Sequence, residues 1–181
     1  MKRPLNLLIL LTLFSFSKLY SECVVVPLSL DERVNAASLI VEGIVQSKSC
    51  YWNSDKSMIY TKNTFQISKI FKGAQLINNY TIDVVTLGGT IGDKAVKVEP
   101  ELELESGEIG ILMLVQKNGD WVAESGPQGF IRIDKHTAES SDMFNTYQAY
   151  AIQAMIVSIT KLNIQTVNGQ LTNVYVSSKR A

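Results

Sequence analysis

Of the side chains that carry most enzyme chemistry, this chain holds one histidine, His136, and two cysteines, Cys23 and Cys50. His136 sits in the polar stretch "DKHTAE", with no serine or cysteine in a strained-turn motif beside it. It reads as a solvated loop residue rather than a general base. There is no HExxH and no Cys/His cluster of zinc spacing, so no metal site is expected. The 17 carboxylates could include a glycosidase pair, but composition alone points to none. Neither a catalytic set nor a cofactor is expected.

Two clusters are better candidates. In "VTLGGTIGDK", Gly88, Gly89 and Gly92 follow a strand-like run, where phosphate loops often lie. The spacing fits neither a dinucleotide fingerprint nor a Walker loop, and the following "KAVKVEPELELE" reads as strand. Without a helix N-terminus, no row of free N–H groups faces a phosphate. A structural turn is expected, with glycine supplying positive φ or close backbone approach. In the next stretch Glu99, Glu101, Glu103 and Glu105 alternate with Val98, Pro100, Leu102 and Leu104. In a strand this lines four carboxylates along one face, a candidate edge for a basic partner or a cation. The plainer reading is the solvated side of an edge strand, with Pro100 and repeated charge blocking edge pairing. Calcium loops use a curved ligand set instead. The aromatics Tyr51, Trp52, Tyr60, Trp121 and Phe130 serve either to stack a ligand or, as strand aromatics usually do, as core and cross-strand pairs. Asn79-Tyr80-Thr81 is a glycosylation sequon, meaningful only in a eukaryotic secretory route.

The N-terminus places Lys2 and Arg3 before the apolar "PLNLLILLTLFSFS" and the small residue Ser21. This is the pattern of a secretory signal peptide over residues 1–21. Lipidation at Cys23 is disfavoured, because Glu22 stands where a small residue is needed. No later stretch reaches the roughly 18 apolar residues of a membrane span. Removing the leader takes Lys2, Arg3 and Lys18, leaving 14 basic against 17 acidic side chains and nothing that attracts nucleic acid by bulk charge. About 160 residues remain, enough for one domain with a core. Export carries Cys23 and Cys50 into an oxidising compartment, where an even pair is expected to bond. If both stay reduced, neither thiol is excluded from chemistry.

The elements that must position these groups follow from pattern. Ser29 precedes Asp31 and Glu32, the signature of a short helix start. A strand then runs from Leu39 to Cys50, with Gly43 marking a bend or bulge. After a polar turn at Asn53, Ser54 and Asp55, "IYTKNTFQISKIFKG" alternates as its hairpin partner and ends at Gly73. "YTIDVVTLGG" is the next strand, "ILMLVQKNGDWVAES" two strands joined at Asn118-Gly119, and "GPQGFIRID" a turn and closing strand. The spacing predicts a mainly β fold, a small antiparallel barrel or sandwich. A longer helix is expected from near Met143, capped by Ser140, Ser141 or Asp142, with Met143, Tyr147, Tyr150, Ala154 and Val157 on one face and Ile152 and Ile156 opposite. Residues 163–181 read as a hairpin around Asn168 and Gly169, or a linker.

In order, the cysteine after the leader, "AASLIVEGIVQS", "IYTKNTFQISKIFKG", "VTLGGTIG", "PELELESGEIGILMLV" and "GPQGFIRI" resemble bacterial secreted modules related to netrin-like domains and tissue inhibitors of metalloproteinases. The resemblance covers roughly residues 23–135, extending toward 162, and implies an OB-like five-stranded barrel with flanking helices over residues 22–162. In the inhibitors the first cysteine's amine and carbonyl chelate the target's zinc. Cys23 alone matches here, and Glu22 would cover that amine. The expected function is a non-enzymatic secreted or cell-surface module that binds an extracellular protein or a neighbouring domain. A metalloprotease inhibitor-like protein and an uncharacterised secreted hydrolase are the other readings.

Overall fold

The computed structural model describes residues 25–168, with side chains through residue 161. The leader, Cys23 and with it the expected Cys23–Cys50 bridge, and residues 169–181 lie outside the described residues. The first element is α1 (Leu30–Ala36), opened by a capping box in which the Ser29 hydroxyl accepts from the Glu32 amide and the Glu32 carboxylate accepts from the Ser29 amide. Its far end is closed from outside: Lys72 Nζ donates to the carbonyls of Val34 at 2.9 Å and Asn35 at 3.0 Å. Burial pushes the Lys72 pKa down, while the carbonyl ends of the helix favour the cation.

Next come β1 (Leu39–Trp52) and β2 (Ile59–Lys72), a long hairpin, and β3 (Thr81–Leu87) antiparallel to β2. The strands β4 (Gly89–Ile91) and β5 (Lys94–Val96) pair only with each other. Then follow β6 (Ile109–Lys117), β7 (Asp120–Ala123), β8 (Phe130–Ile133), β9 (Glu139–Ser141), β10 (Thr146–Gln148) and α2 (Ala149–Asn168). The β6–β7 turn has Asn118 at φ 54° and Gly119 at φ 93°, the double left-handed geometry that Asn-Gly favours.

Pairing closes a five-stranded ring, β1–β2–β3–β7–β6 and back to β1. The β1–β6 side is an antiparallel ladder from Leu39↔Leu114 to Ile44↔Ile109. The β3–β7 side is one parallel bridge, Val84↔Trp121. One edge of β6 is shared in succession by β7 and β8, and the sheet runs on through β9 and β10. The fold is mainly β with a short helix before and a longer helix after the sheet, but the sheet is not a regular barrel. The expected small barrel is modified because one seam is a single bridge and three short strands branch from the ring.

Two apolar layers result. Leu39, Val41, Phe65, Val84, Leu112 and Phe130 fill the ring, joined by Leu102 and Leu104. On the outside, Ile40, Ile111, Met113 and Ile131 pack under Leu30 and Val34 of α1 and Ile152 and Ile156 of α2. Strands covered on both faces explain why "GILMLV" is apolar without alternation.

The β1–β6 ladder is possible because Gly43 and Gly110 face each other across it. A Cβ on Gly43 would collide with the Gln66 carbonyl and the Phe65 ring, and one on Gly110 with the Phe130 ring and the Ile131 carbonyl. The pairing of β1 with β2 also slips between Glu42 and Gly43, as the bend reading expects.

The C-terminal third departs from expectation. The helix begins at Ala149, and residues 142–148 form a turn and β10. Asp142 does not cap it: Oδ1 accepts from the amides of Phe144 and Asn145 at 2.8 Å each, turning the chain between β9 and β10. The buried face carries Ile152 and Ile156, while Tyr150 is 74% exposed and Met143 half exposed. The aliphatic sheet surface beneath α2 selects branched aliphatics over the aromatic side. Residues 163–168, expected in a hairpin, belong to α2. Gln153 straps the helix down, donating to Glu42 at 2.7 Å and accepting from Lys69 at 3.3 Å.

A buried ion pair joins the ends of the chain. Arg33 Nη2 meets Asp142 Oδ2 at 2.7 Å, with side chains 2% and 1% exposed, and Nη1 donates to the Gln128 carbonyl at 2.8 Å. Gln128, in a 3-10 turn over Gly126–Gly129, also accepts from the Leu28 amide and donates to the Val26 carbonyl. Burial works against the Asp142 carboxylate, but the amides of Phe144 and Asn145 and the Arg33 guanidinium outweigh it and hold its pKa below the ordinary value.

Two predictions follow from this packing. Gly43→Ala and Gly110→Ala should each destabilise the fold by roughly 1–3 kcal/mol through overpacking. Gly92→Ala, at φ 61° with no atom near its Cβ, should cost about 1 kcal/mol. Urea unfolding midpoints test the order, and equal losses at the three sites would refute the close-approach explanation. Asp142→Ala strands a buried guanidinium and should cost on the order of 3–5 kcal/mol. Because the folded carboxyl titrates below its unfolded value, its contribution is complete above about pH 4 and is lost as pH falls through the folded pKa. Stability of the wild type should therefore fall more steeply below pH 4 than that of Asp142→Asn, and parallel profiles would count against the charged pair.

Candidate binding cleft

Along β2 every second side chain points into the ring, and the inward set changes character. Phe65 and Ile67 are apolar, whereas Asn63 and Thr61 are polar and as deeply buried, at 0% and 5% exposure. Thr86 of β3 lies beside them, also buried. Polar groups in such a place need partners, since an unsatisfied one costs about 1–3 kcal/mol.

Most of that demand is met locally. Asn63 Nδ2 donates to the Val84 carbonyl and to Thr86 Oγ1, both at 3.1 Å, with a longer contact to the Thr61 carbonyl at 3.4 Å. Thr61 donates its hydroxyl proton to the Gly88 carbonyl at 2.7 Å. Cys50 Sγ lies 3.4 Å from the same hydroxyl oxygen, so a Cys50 thiol would donate to it. Asn63 Oδ1 alone is left over: it is buried and has no hydrogen-bond partner among the described residues. Turning the amide round would set its oxygen against the Val84 carbonyl, so the orientation is fixed by chemistry.

These residues line a cleft of about 450 Å³. Its outer wall is Gly88, Gly89 and the β4–β5 hairpin, its apolar side is Leu102 and Leu104, and its rim carries Lys48, Lys97, Glu103 and Glu105. Gly88, Gly89 and Gly92 have φ of 92°, 133° and 61°. A Cβ on Gly89 would stand 2.5 Å from Thr61 Oγ1 and 2.7 Å from Cys50 Sγ, so any side chain there would fill the cleft. Gly92 is at the tip of the hairpin, away from it.

The acidic run is arranged differently from the expected edge strand. Residues 97–105 form no ladder: Leu102 and Leu104 turn into the ring core while Glu103 and Glu105 point out. Pro100 has no N–H to offer a ladder, and the leucines hold the segment across the end of the ring. Glu99 pairs with Lys97 at 2.6 Å and Glu105 with Lys48 at 2.9 Å. Burial pushes the Glu101 pKa up, against the lowering effect of hydrogen bonds from the amides of Leu87 and Leu102. The four carboxylates thus form no continuous acidic face.

The other candidates disperse. His136 lies in an exposed turn, where its backbone amide donates to Asp134 Oδ1 at 2.7 Å, and it does not line the cleft. Tyr51 and Tyr60 stack as a cross-strand pair with ring centroids 5.8 Å apart. Trp121 packs on the ring core, Phe130 lies within it, and Trp52 is half-buried at the end of β1. Cys50 is half-buried in the cleft wall. Among the described residues, no three His, Cys, Asp or Glu side chains converge to hold a metal, and no helix is long and apolar enough to cross a membrane.

Asn63, Thr61 and Thr86 were not singled out by motif or spacing. Their signal was present nonetheless, as an asparagine and a threonine on the strand face that also carries Phe65 and Ile67. Compared with known proteins, the chain matches no family model and no curated sequence.

Proposed function

We propose that this chain is an exported, non-enzymatic binding module that engages an extracellular partner or a neighbouring domain through the cleft beside Asn63. The observation that carries the reading is the buried, unpartnered Asn63 Oδ1 among hydroxyl groups in the cleft. A pocket that fixes a ligand by a few placed polar groups on apolar walls has this composition. The neighbour of Cys50 in the cleft is the Thr61 hydroxyl, which does not act as a base toward a thiol. The basic and apolar leader sequence supports export.

The mature chain, presented to the extracellular fraction of its source, should retain a ligand saturably. The rim exchanges Lys97→Glu and Glu103→Lys, both on exposed side chains, should weaken that retention while leaving the thermal midpoint within about 1 °C to 2 °C of wild type, as exposed substitutions usually do. Turnover of a substrate, lost in the same variants, would overturn the non-enzymatic reading. Export also implies a Cys23–Cys50 bridge, which would tie the mature N-terminus to the cleft wall. Non-reducing peptide mapping should recover that cross-link, and two free thiols in exported protein would refute it.

A further inference from the structure

Resting on the binding-module reading, we infer that the cleft receives a neutral amide, whose N–H donates to Asn63 Oδ1 and whose carbonyl accepts from the Thr86 hydroxyl. The polarity is set by what the floor leaves unused. Asn63 Oδ1 is an acceptor, so its occupant must bring an N–H or O–H. Thr86 Oγ1 already accepts from Asn63 Nδ2 at 3.1 Å, and among the described residues its own proton has no acceptor. One free acceptor and one free donor, linked through a single hydrogen bond, complement a group that carries N–H and C=O side by side. That group is an amide.

Neutrality follows from the rim. Lys48 is held by Glu105 and Lys97 by Glu99, so neither lysine offers an uncompensated charge. A charged head would have to shed its water against Thr61, Asn63 and Thr86, none of which carries charge. An amide sheds less and recovers both of its hydrogen bonds. Leu102 and Leu104 supply an apolar side for a short aliphatic stem, and Gly89 leaves the entrance clear of side chains.

Asn63 Oδ1 is sealed from water, so entry needs one wall to yield. The β4–β5 hairpin shares no ladder with the eight-stranded sheet and is that wall. The amide can come from a free small molecule or from an asparagine or glutamine side chain of a protein partner.

Titration of the ¹⁵N-labelled mature chain, followed at the Asn63 side-chain NH₂ and the Thr86 amide, separates these sources. Propionamide and a capped tripeptide with central glutamine are the probes; methyl propanoate and the same peptide with central methionine are the controls. Saturable shifts with propionamide assign the site to a free amide, and shifts with the glutamine peptide alone assign it to a partner's side chain. Thr86→Val should weaken the active probe about tenfold, and Thr86→Ser should restore it. Asn63→Leu risks misfolding through loss of the Val84 bond, so Thr86 carries the test. Silence with both probes, equal shifts with the controls, unchanged affinity in folded Thr86→Val, or an ordered water as the sole partner of Asn63 in a crystal structure overturns the inference. If ligand retention still depends on Lys97 and Glu103 while the probes fail, the amide assignment falls and the binding module stands. If both fail, both readings fall.

Discussion

The ring depends on how closely β1 can approach its two neighbours. At Gly43 the strand is pressed on one edge by the Gln66 carbonyl of β2, and on the other it faces Gly110 of β6. The rings of Phe65 and Phe130 occupy the space that two side chains would take. An aromatic over a strand glycine recovers the packing that glycine forfeits and permits the tight coiling that closure demands. Without that approach the β1–β6 ladder could not form. The opposite seam is a single bridge at Val84 and Trp121, too little to close the ring by itself.

Closure on β1 then dictates the second layer. With both edges of β1 paired, Leu39 and Val41 face the ring and Ile40 faces outward to α1 and α2. A strand buried on both faces cannot carry a solvated side, so the helices are structural necessities rather than appendages. The Arg33–Asp142 pair fixes where they sit, joining α1 to the β9–β10 turn just ahead of α2. A buried pair of this kind adds less net stability than well-packed apolar residues would, yet it penalises every docking of α1 that separates the two charges.

Much of this was readable in the sequence because it is local. The Ser29 cap, the alternation of β2, the Asn118-Gly119 turn and the glycine in β1 each follow from a few adjacent residues and their backbone preferences. The failures are non-local. In α2 both faces are apolar, so no periodicity says that Ile152 and Ile156 rather than Tyr150 meet the sheet; the surface of Ile111, Met113 and Ile131 decides it. Asp142 can cap a helix or turn a strand, and a guanidinium 109 residues away in sequence is what holds it in the turn. The glutamates alternate as in a strand, but Leu102 and Leu104 are claimed by the ring interior and the segment forms no ladder.

The same non-locality hid the cleft. Thr61 and Asn63 continue the inward face of β2, and by pattern alone they are two weak core positions. Their meaning appears only when β3 brings Thr86 alongside and the glycine turn brings the Gly88 carbonyl within reach of Thr61. At that end of the ring the strands are held together by side-chain hydrogen bonds as well as by ladders, and a ring held by apolar contacts alone would not require them. Replacing Asn63 by leucine on paper would remove one unpaired acceptor and extend the apolar core, so stability gives no reason for an asparagine whose amide is only half used. The glycine turn belongs to the same arrangement, since at Gly89 a side chain would occupy the space in front of Thr61 and Cys50. A turn that looked like a phosphate loop thus shapes a cleft whose free groups are an uncharged acceptor and an uncharged donor, a setting that favours hydrogen-bonded recognition of a neutral group over the binding of an anion.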